Sequence, residues 1–267
     1  MRLFGRAWAL EVGTEASLTR YEHGRMRFAV RMARGSVGTC RVTYSNPPRS
    51  MVGKLADAGV VVRVLAGWEE GGPVEVFRGS VQPKSVEYRQ AGDPEVSMLL
   101  SASRTELRRP VARWVPGPCT LAQVVDLVRQ DLGLAAGDID AAALGAVTVA
   151  RGYAAAGMPA TVLREIADSA GLEFIVEAGR LSMWRRRGAA TTVDIWRADS
   201  GLLDVTTPAG DGEVKARALL RSQIRPGSRV RIESAQHRGD LAVREVAHLG
   251  DTHGQDWTTT IVGVPVA

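Results

Sequence analysis

The residues with the most chemical potential form one short run near the end of the chain: His248, Asp251, His253 and Asp256, in HLGDTHGQD. Two imidazoles and two carboxylates make a donor set for a divalent ion, provided that they converge and are oriented by a second layer of hydrogen bonds. Their spacing argues against convergence. The run has no helical HExxH pattern, and His248 and His253, five apart, would face opposite sides of a continuous strand. A strand end followed by a polar turn is the expected reading, so no cofactor and no metal are predicted, and these four residues are only weak metal candidates.

Other catalytic patterns are missing. Glu69 and Glu70 lie in WEEGG, a solvated turn. No G-x-S-x-G elbow, phosphate-binding loop or dinucleotide fingerprint occurs, and Gly53-Lys54 lacks the upstream glycine that a phosphate loop needs. Cys40 and Cys119 are far apart, with no CxxC pair and no nearby His and Asn pattern, which fits a reducing compartment rather than a disulfide framework. An enzyme is not expected. Two basic clusters, at 104–113 and 184–187, leave open a single-stranded nucleic-acid binder, the alternative to the reading reached below. The six Trp, four Tyr and four Phe do not interleave with those arginines as stacking platforms would. Arginines facing a partner's carboxylates would explain the same clusters.

The composition is that of an ordinary globular protein, 45% hydrophobic and 24% charged, with a net charge of +5 from 34 Lys+Arg against 29 Asp+Glu. A length of 267 residues suffices for two or three domains. Arg6 and Glu11 interrupt any apolar leader, and no apolar run approaches the ~20 residues of a membrane span. Synthesis in the cytosol follows as the expectation.

Most of the chain has the period-two spacing of strands. In the last stretch, 225–266, Val230 and Ile232 alternate with arginines after the Pro226-Gly227 turn. Leu241, Val243 and Val246 follow the turn at 237–239, and Trp257, Thr259 and Ile261 alternate in a third strand. The stretch 58–102 has the same order: a glycine, an alternating strand, a second strand, a Gly-rich polar connection and a closing strand. This reads as a duplicated unit. Earlier strands are expected at 3–12, 25–30 and 38–44, and a short helix at 50–58 ended by Gly59.

The proline- and arginine-rich stretch 104–118 reads as a linker. Beyond it the period becomes helical. Thr120 caps a helix with Leu121, Val124, Val125 and Val128 on one face, and Pro159 opens another that buries Val162, Leu163 and Ile166. One strand is expected at 146–150, a hairpin at 172–184 and a connection with its own apolar anchors at 193–208. The fold class is therefore mainly β with an α+β insert. Residues 1–104 and 189–267 form two related small β-barrel (split-barrel) modules, and 105–188 a helix-and-hairpin domain between them.

The order of these motifs resembles the phage baseplate hub proteins of contractile tails. The resemblance is carried by 27–44 into Asn46-Pro47-Pro48, by 59–68 with Phe77-Arg78-Gly79, by Gly171-Leu172-Glu173-Phe174 with Gly179-Arg180-Leu181, and by Ser200-Gly201-Leu202-Leu203 with Thr207-Pro208. The run 250–257 completes it. It implies a non-enzymatic virion protein, assembled in the bacterial cytoplasm as a homotrimer. Two tube-type barrels per chain would then make a pseudo-sixfold ring between a hexameric tail tube and a trimeric spike. Implied partners are the tail tube or a tube-initiator protein, the central spike, and wedge or sheath-initiator components, with DNA only as cargo through the lumen and no membrane segment. Ring surfaces would come from the barrel strands, with Arg229, Arg231, Arg244 and Trp257 as the inter-subunit candidates. The chain is short for that family and has no segment readable as a fused lysozyme, which leaves a cell-wall hydrolase as the weakest alternative.

Overall fold

The computed structural model describes residues 4–57, 59–82, 84–90, 92–102, 107, 109–177, 179–185, 193–206 and 212–266. Eight strands and one helix form the first part: β1 (Arg6–Thr14), β2 (Ser17–Tyr21), β3 (Met26–Ala33), β4 (Thr39–Ser45), α1 (Arg49–Leu55), β5 (Val61–Trp68), β6 (Gly72–Val81), β7 (Glu87–Arg89) and β8 (Glu95–Ser101). They hydrogen-bond in the order β3-β4-β8-β6-β5-β1-β2, with β7 on β8. The alternation sets which face is buried. Met26, Phe28, Val30 and Met32 point inward from β3 while Arg27 and Arg31 stay exposed, and Cys40, Val42 and Tyr44 do the same from β4 beside the exposed Arg41. Helix α1 lays Met51 and Leu55 on this core, and Gly59 takes φ 76° as the chain turns into β5.

The middle part holds β9 (Val111–Val115), β10 (Cys119–Thr120), α2 (Leu121–Asp131), β11 (Ala135–Ile139), α3 (Ala141–Gly145), β12 (Thr148–Val149), β13 (Tyr153–Gly157), α4 (Pro159–Ser169), β14 (Leu172–Glu177) and β15 (Arg180–Arg185). Thr120 and Gln123 form a reciprocal capping box at the start of α2. The apolar stripes of α2 and α4 meet the inner face of the β14–β15 hairpin. Val124, Val128, Leu163, Ile166, Phe174 and Met183 all lie in this second core.

Three expectations need correction here. The stretch 104–118 is not only a linker, because 111–115 is β9, paired antiparallel with β13 some forty residues on. The strand at 146–150 shrinks to Thr148–Val149 against Cys119–Thr120, while β11 and β13, rich in Ala and Gly, carry no alternation that would betray them. Residues 193–208 are more than a connection: they contain β16 (Val193–Arg197), a 3-10 turn (Ala198–Ser200) and β17 (Leu202–Thr206). Of the sequence features read above, Ala58, Ala178, Arg186, Arg187, Gly188, Thr207 and Pro208 lie outside the described residues, as do 103–106 and 108.

The last part continues with β18 (Val214–Leu219), β19 (Arg229–Glu233), β20 (Arg238–Asp251) and β21 (Trp257–Pro265). Its strands pair in the order β17-β18-β21-β20-β19-β16. Taken in chain order, β1, β3, β4, β5, β6 and β8 correspond to β16, β17, β18, β19, β20 and β21, and each set follows one spatial order. One orientation differs: β1 runs antiparallel to β5, whereas β16 runs parallel to β19. The shared order covers not only 58–102 and 225–266 but also three strands preceding each stretch. The fold is mainly β, and the first and last parts share one continuous hydrophobic core.

Candidate assembly interface

The two β parts join through backbone. Strand β20 is 14 residues long, enough to serve two neighbours along one edge. Its first five residues pair with β19, and residues 245–251 pair with β3 from Ala33 back to Arg27. The register of β20 against β21 shifts between Val243 and Glu245, close to where the neighbour changes. An extra residue of this kind bends a strand and re-aims it. The result is one sheet that crosses from one module to the other. On its solvent face Arg217, Thr260, Ala247, Arg31 and Thr39 stand in one cross-strand row over five strands.

Side chains lock the opposite side of this seam. Trp257 Nε1 donates to the Gly67 carbonyl at 3.1 Å, Trp68 Nε1 donates to Leu220 O at 2.9 Å, and Ser222 Oγ donates to Ala66 O at 2.6 Å. Three buried carbonyls are thereby satisfied across the joint, which matters because an unpaired buried carbonyl is costly. The Trp257 ring meets Phe28 edge-on at 5.6 Å, and the Arg6 guanidinium lies 5.4 Å from its centroid. Arg6 also donates to the carbonyls of Asp251 and Gly254 at 2.5 Å each.

Two arginine nodes fasten the insert to both modules. Arg34, its side chain only 2% exposed, donates to Glu173 at 2.9 Å, and Arg244 reaches the same carboxylate at 3.3 Å while binding Glu213 at 2.9 Å. On the other flank Arg225 binds Glu177 of β14 at 2.8 Å, Glu75 O of β6 at 2.6 Å and Ser222 O at 2.7 Å. Each node ties together first module, insert and last module.

The four residues of the HLGDTHGQD run separate. His248 sits in mid-β20, fully buried. Its Nε2 faces Ile224 O at 3.2 Å and so carries the proton, and its Nδ1 accepts from Thr259 Oγ1 at 2.9 Å. Burial, with the charge of Arg225 adding to it, holds His248 down to about 3. Asp251 points instead to Arg25, which binds it through Nε at 3.1 Å and Nη2 at 2.6 Å, while His253 N donates to it at 3.0 Å. The Arg25 hydrogen bond, despite an opposing effect of burial, draws Asp251 down to about 2. His253 Nδ1 meets Thr252 Oγ1 at 2.9 Å in the turn beyond, and Asp256 gives its backbone carbonyl to Asp251 N at 2.7 Å. Among the described residues no three His, Cys, Asp or Glu side chains could together hold a metal. We expect Asp251→Asn to lower stability by about 1.5–3 kcal/mol, the value of a hydrogen bond to a charged group, as read by urea unfolding at neutral pH.

The four inter-subunit candidates also have partners within the chain. Arg229 Nε and Arg231 Nε bind Asp240 at 2.8 and 2.6 Å, Arg244 belongs to the node above, and Trp257 is 2% exposed in the seam. Of the basic clusters, Arg113 pairs with Asp131 and Arg185 with Asp140, while Arg104, Arg108, Arg186 and Arg187 lie outside the described residues. Cys40 and Cys119 are free and buried in different cores, and burial pushes the Cys40 thiol well above its usual range. The nodes at Arg6, Arg34 and Arg225 have no local signature, since their partners lie far along the chain.

No protein-family model matches the sequence, and the curated proteins contain no detectable relative. Solved structures do match. The 43 kDa tail protein of prophage MuSo2 from Shewanella oneidensis superposes with a TM-score of 0.67 at 10% identity, over 97% of this chain and 98% of that one. A tail protein from Neisseria meningitidis MC58 gives 0.66 at 11% identity, over 96% of both chains. An E. coli component of the type VI secretion system, itself structurally similar to the T4 tail proteins gp27 and gp5, gives 0.67 at 9% identity over 91% of this chain and 74% of that one. At such identities the likeness establishes a shared fold, that of phage tail and related secretion-system proteins.

Proposed function

We propose, starting from a fold shared with phage tail proteins, that this chain is a structural hub of a contractile tail or a tail-derived injection device. Three copies form a ring of six similar β modules, which joins the sixfold tube on one side to the threefold spike on the other. The observation that carries this reading is one strand order occurring twice within a single continuous sheet. Three chains with two like modules each present six similar surfaces to a hexamer while keeping threefold symmetry elsewhere. The insert, with its own core, lies outside the ring and meets wedge or sheath-initiator components. The three bodies are 1–104, 105–188 and 189–267, and DNA passes as cargo.

Catalysis has no part in this reading. The ionisable groups near the chain's end serve structure, His248 by neutral hydrogen bonds in the core and Asp251 as the anchor of Arg25. Among the described residues no helix is long and apolar enough to cross a membrane.

The test is to express the chain together with the spike and tube proteins of its own gene cluster and to measure mass and symmetry by mass photometry and electron microscopy. A threefold complex with a ring of six densities around a lumen, the spike on one side, is the expected result. A chain that stays monomeric beside both partners, and is missing from assembled particles, would overturn the reading.

A further inference from the structure

The insert carries one apolar surface that no described residue covers. Strands β9 and β13 form a two-stranded ribbon that, among the described residues, pairs with nothing else. Its register places Trp114 opposite Ala154 and Ala112 opposite Ala156, so these four side chains share one face. All four are exposed, Trp114 at 59%, and Met158, just past the end of β13, is exposed at 50%. The other face is ordinary core: Val111 and Ala155 are buried there.

The tryptophan is also held in position. A Cβ at Gly152 would come within 2.7 Å of Trp114 Cζ2, so the ring lies directly over that glycine, whose φ of 88° an L-residue with a side chain adopts with strain. A side chain that already packs on one side against backbone loses less freedom on docking than one free in solvent.

Charge says what should cover it. The ribbon segments 109–115 and 151–157 contain Arg109, Arg113 and Arg151 and no carboxylate. Arg113 is taken by Asp131, whereas Arg109 and Arg151, exposed at opposite ends of the ribbon, have no ion pair with a described residue. We propose that this face docks a second protein, which offers an apolar patch to Trp114 with carboxylates on either side to meet Arg109 and Arg151. Trp and Arg are both enriched among interface hot spots. The alanines argue for a protein rather than a bilayer. They add little apolar area, and binding to a bilayer scales with the apolar area inserted. The inference concerns the ribbon alone and does not require the ring.

A photo-reactive phenylalanine analogue at position 114 of the full chain, expressed from its own gene cluster, tests it. The exposed Tyr88 position serves as control. The expected outcome is a position-114 adduct to a peptide of another polypeptide rich in Asp and Glu. That polypeptide, once purified, should bind the W114A chain at least about 30-fold more weakly. It should bind the Arg109→Glu, Arg151→Glu double variant about 10-fold or more weakly, with affinity restored by charge reversal on the partner. Unchanged thermal melting would show that these variants fold. No adduct above the Tyr88 level, an adduct to a peptide without carboxylates, or Trp114-dependent flotation with anionic phospholipid vesicles would each overturn the proposal. An adduct formed while the chain is absent from tail particles would instead count against the hub reading and leave this one standing.

Discussion

Trp257→Ala is expected to lower the free energy of unfolding by about 3–5 kcal/mol, the range for a large aromatic removed from a packed core. The ring is 2% exposed and edge-on to Phe28 of β3, so truncation opens a cavity at the joint rather than inside one module. It also takes away the donor that satisfies Gly67 O. Both halves should therefore loosen together, with urea unfolding remaining a single transition at a lower midpoint. Trp257→Phe keeps most of the packing and drops only the hydrogen bond, so it should lose about 1 kcal/mol plus whatever the stranded carbonyl costs. Trp114→Ala, by contrast, should stay within about 0.5 kcal/mol of the parent, as exposed substitutions usually do. A Trp257→Ala chain that loses less than about 1 kcal/mol would mean that the seam does not hold the modules together.

The same tryptophan shows how far the sequence could be read. Its place at the head of an alternating strand was legible, because Trp257, Thr259 and Ile261 all face inward from β21. So were the two long helices of the insert, whose apolar faces repeat at helical spacing between a cap and a glycine. The duplicated unit was visible in the order of strands and turns, though only for its second half. What escaped has a common physical cause. Strand β9 is stabilised by β13, β16 by β19, and β3 by β20, and none of these pairings is announced by a local pattern. A ribbon of alanines has no hydrophobic alternation, and an arginine that closes a joint looks like any surface arginine until its distant glutamate is placed beside it. In the sequence His248 reads as part of a strand end because the polar turn at 251–256 follows it closely. It lies in the core because β20 continues past it to Asp251 and the strand's alternation turns it inward.

That buried imidazole should make the protein lose stability in mild acid. In the unfolded chain a histidine takes up its proton near pH 6.5, whereas in the folded chain His248 resists it down to about 3. The unfolded state thus binds the extra proton first. The contribution is complete above about pH 6.5 and shrinks by about 1.4 kcal/mol per unit as pH falls from there toward 3. Asp251 works in a lower window. Its folded value of about 2 lies below the ordinary carboxylate range, so its contribution is present above about pH 4 and fades as pH drops toward 2. Asp240, held down to about 2 by its hydrogen bonds with Arg231 and Arg229, follows Asp251 in sign. Between about pH 6 and about pH 4.5 the loss should therefore come chiefly from His248, and His248→Gln, which cannot charge, should flatten the slope there even though its neutral-pH stability is lower. Urea midpoints measured at half-unit steps would decide the matter. A parent protein equally stable at both ends of that interval, or a His248→Gln variant with the parent's slope, would show that the ring is protonated or solvated in the native fold.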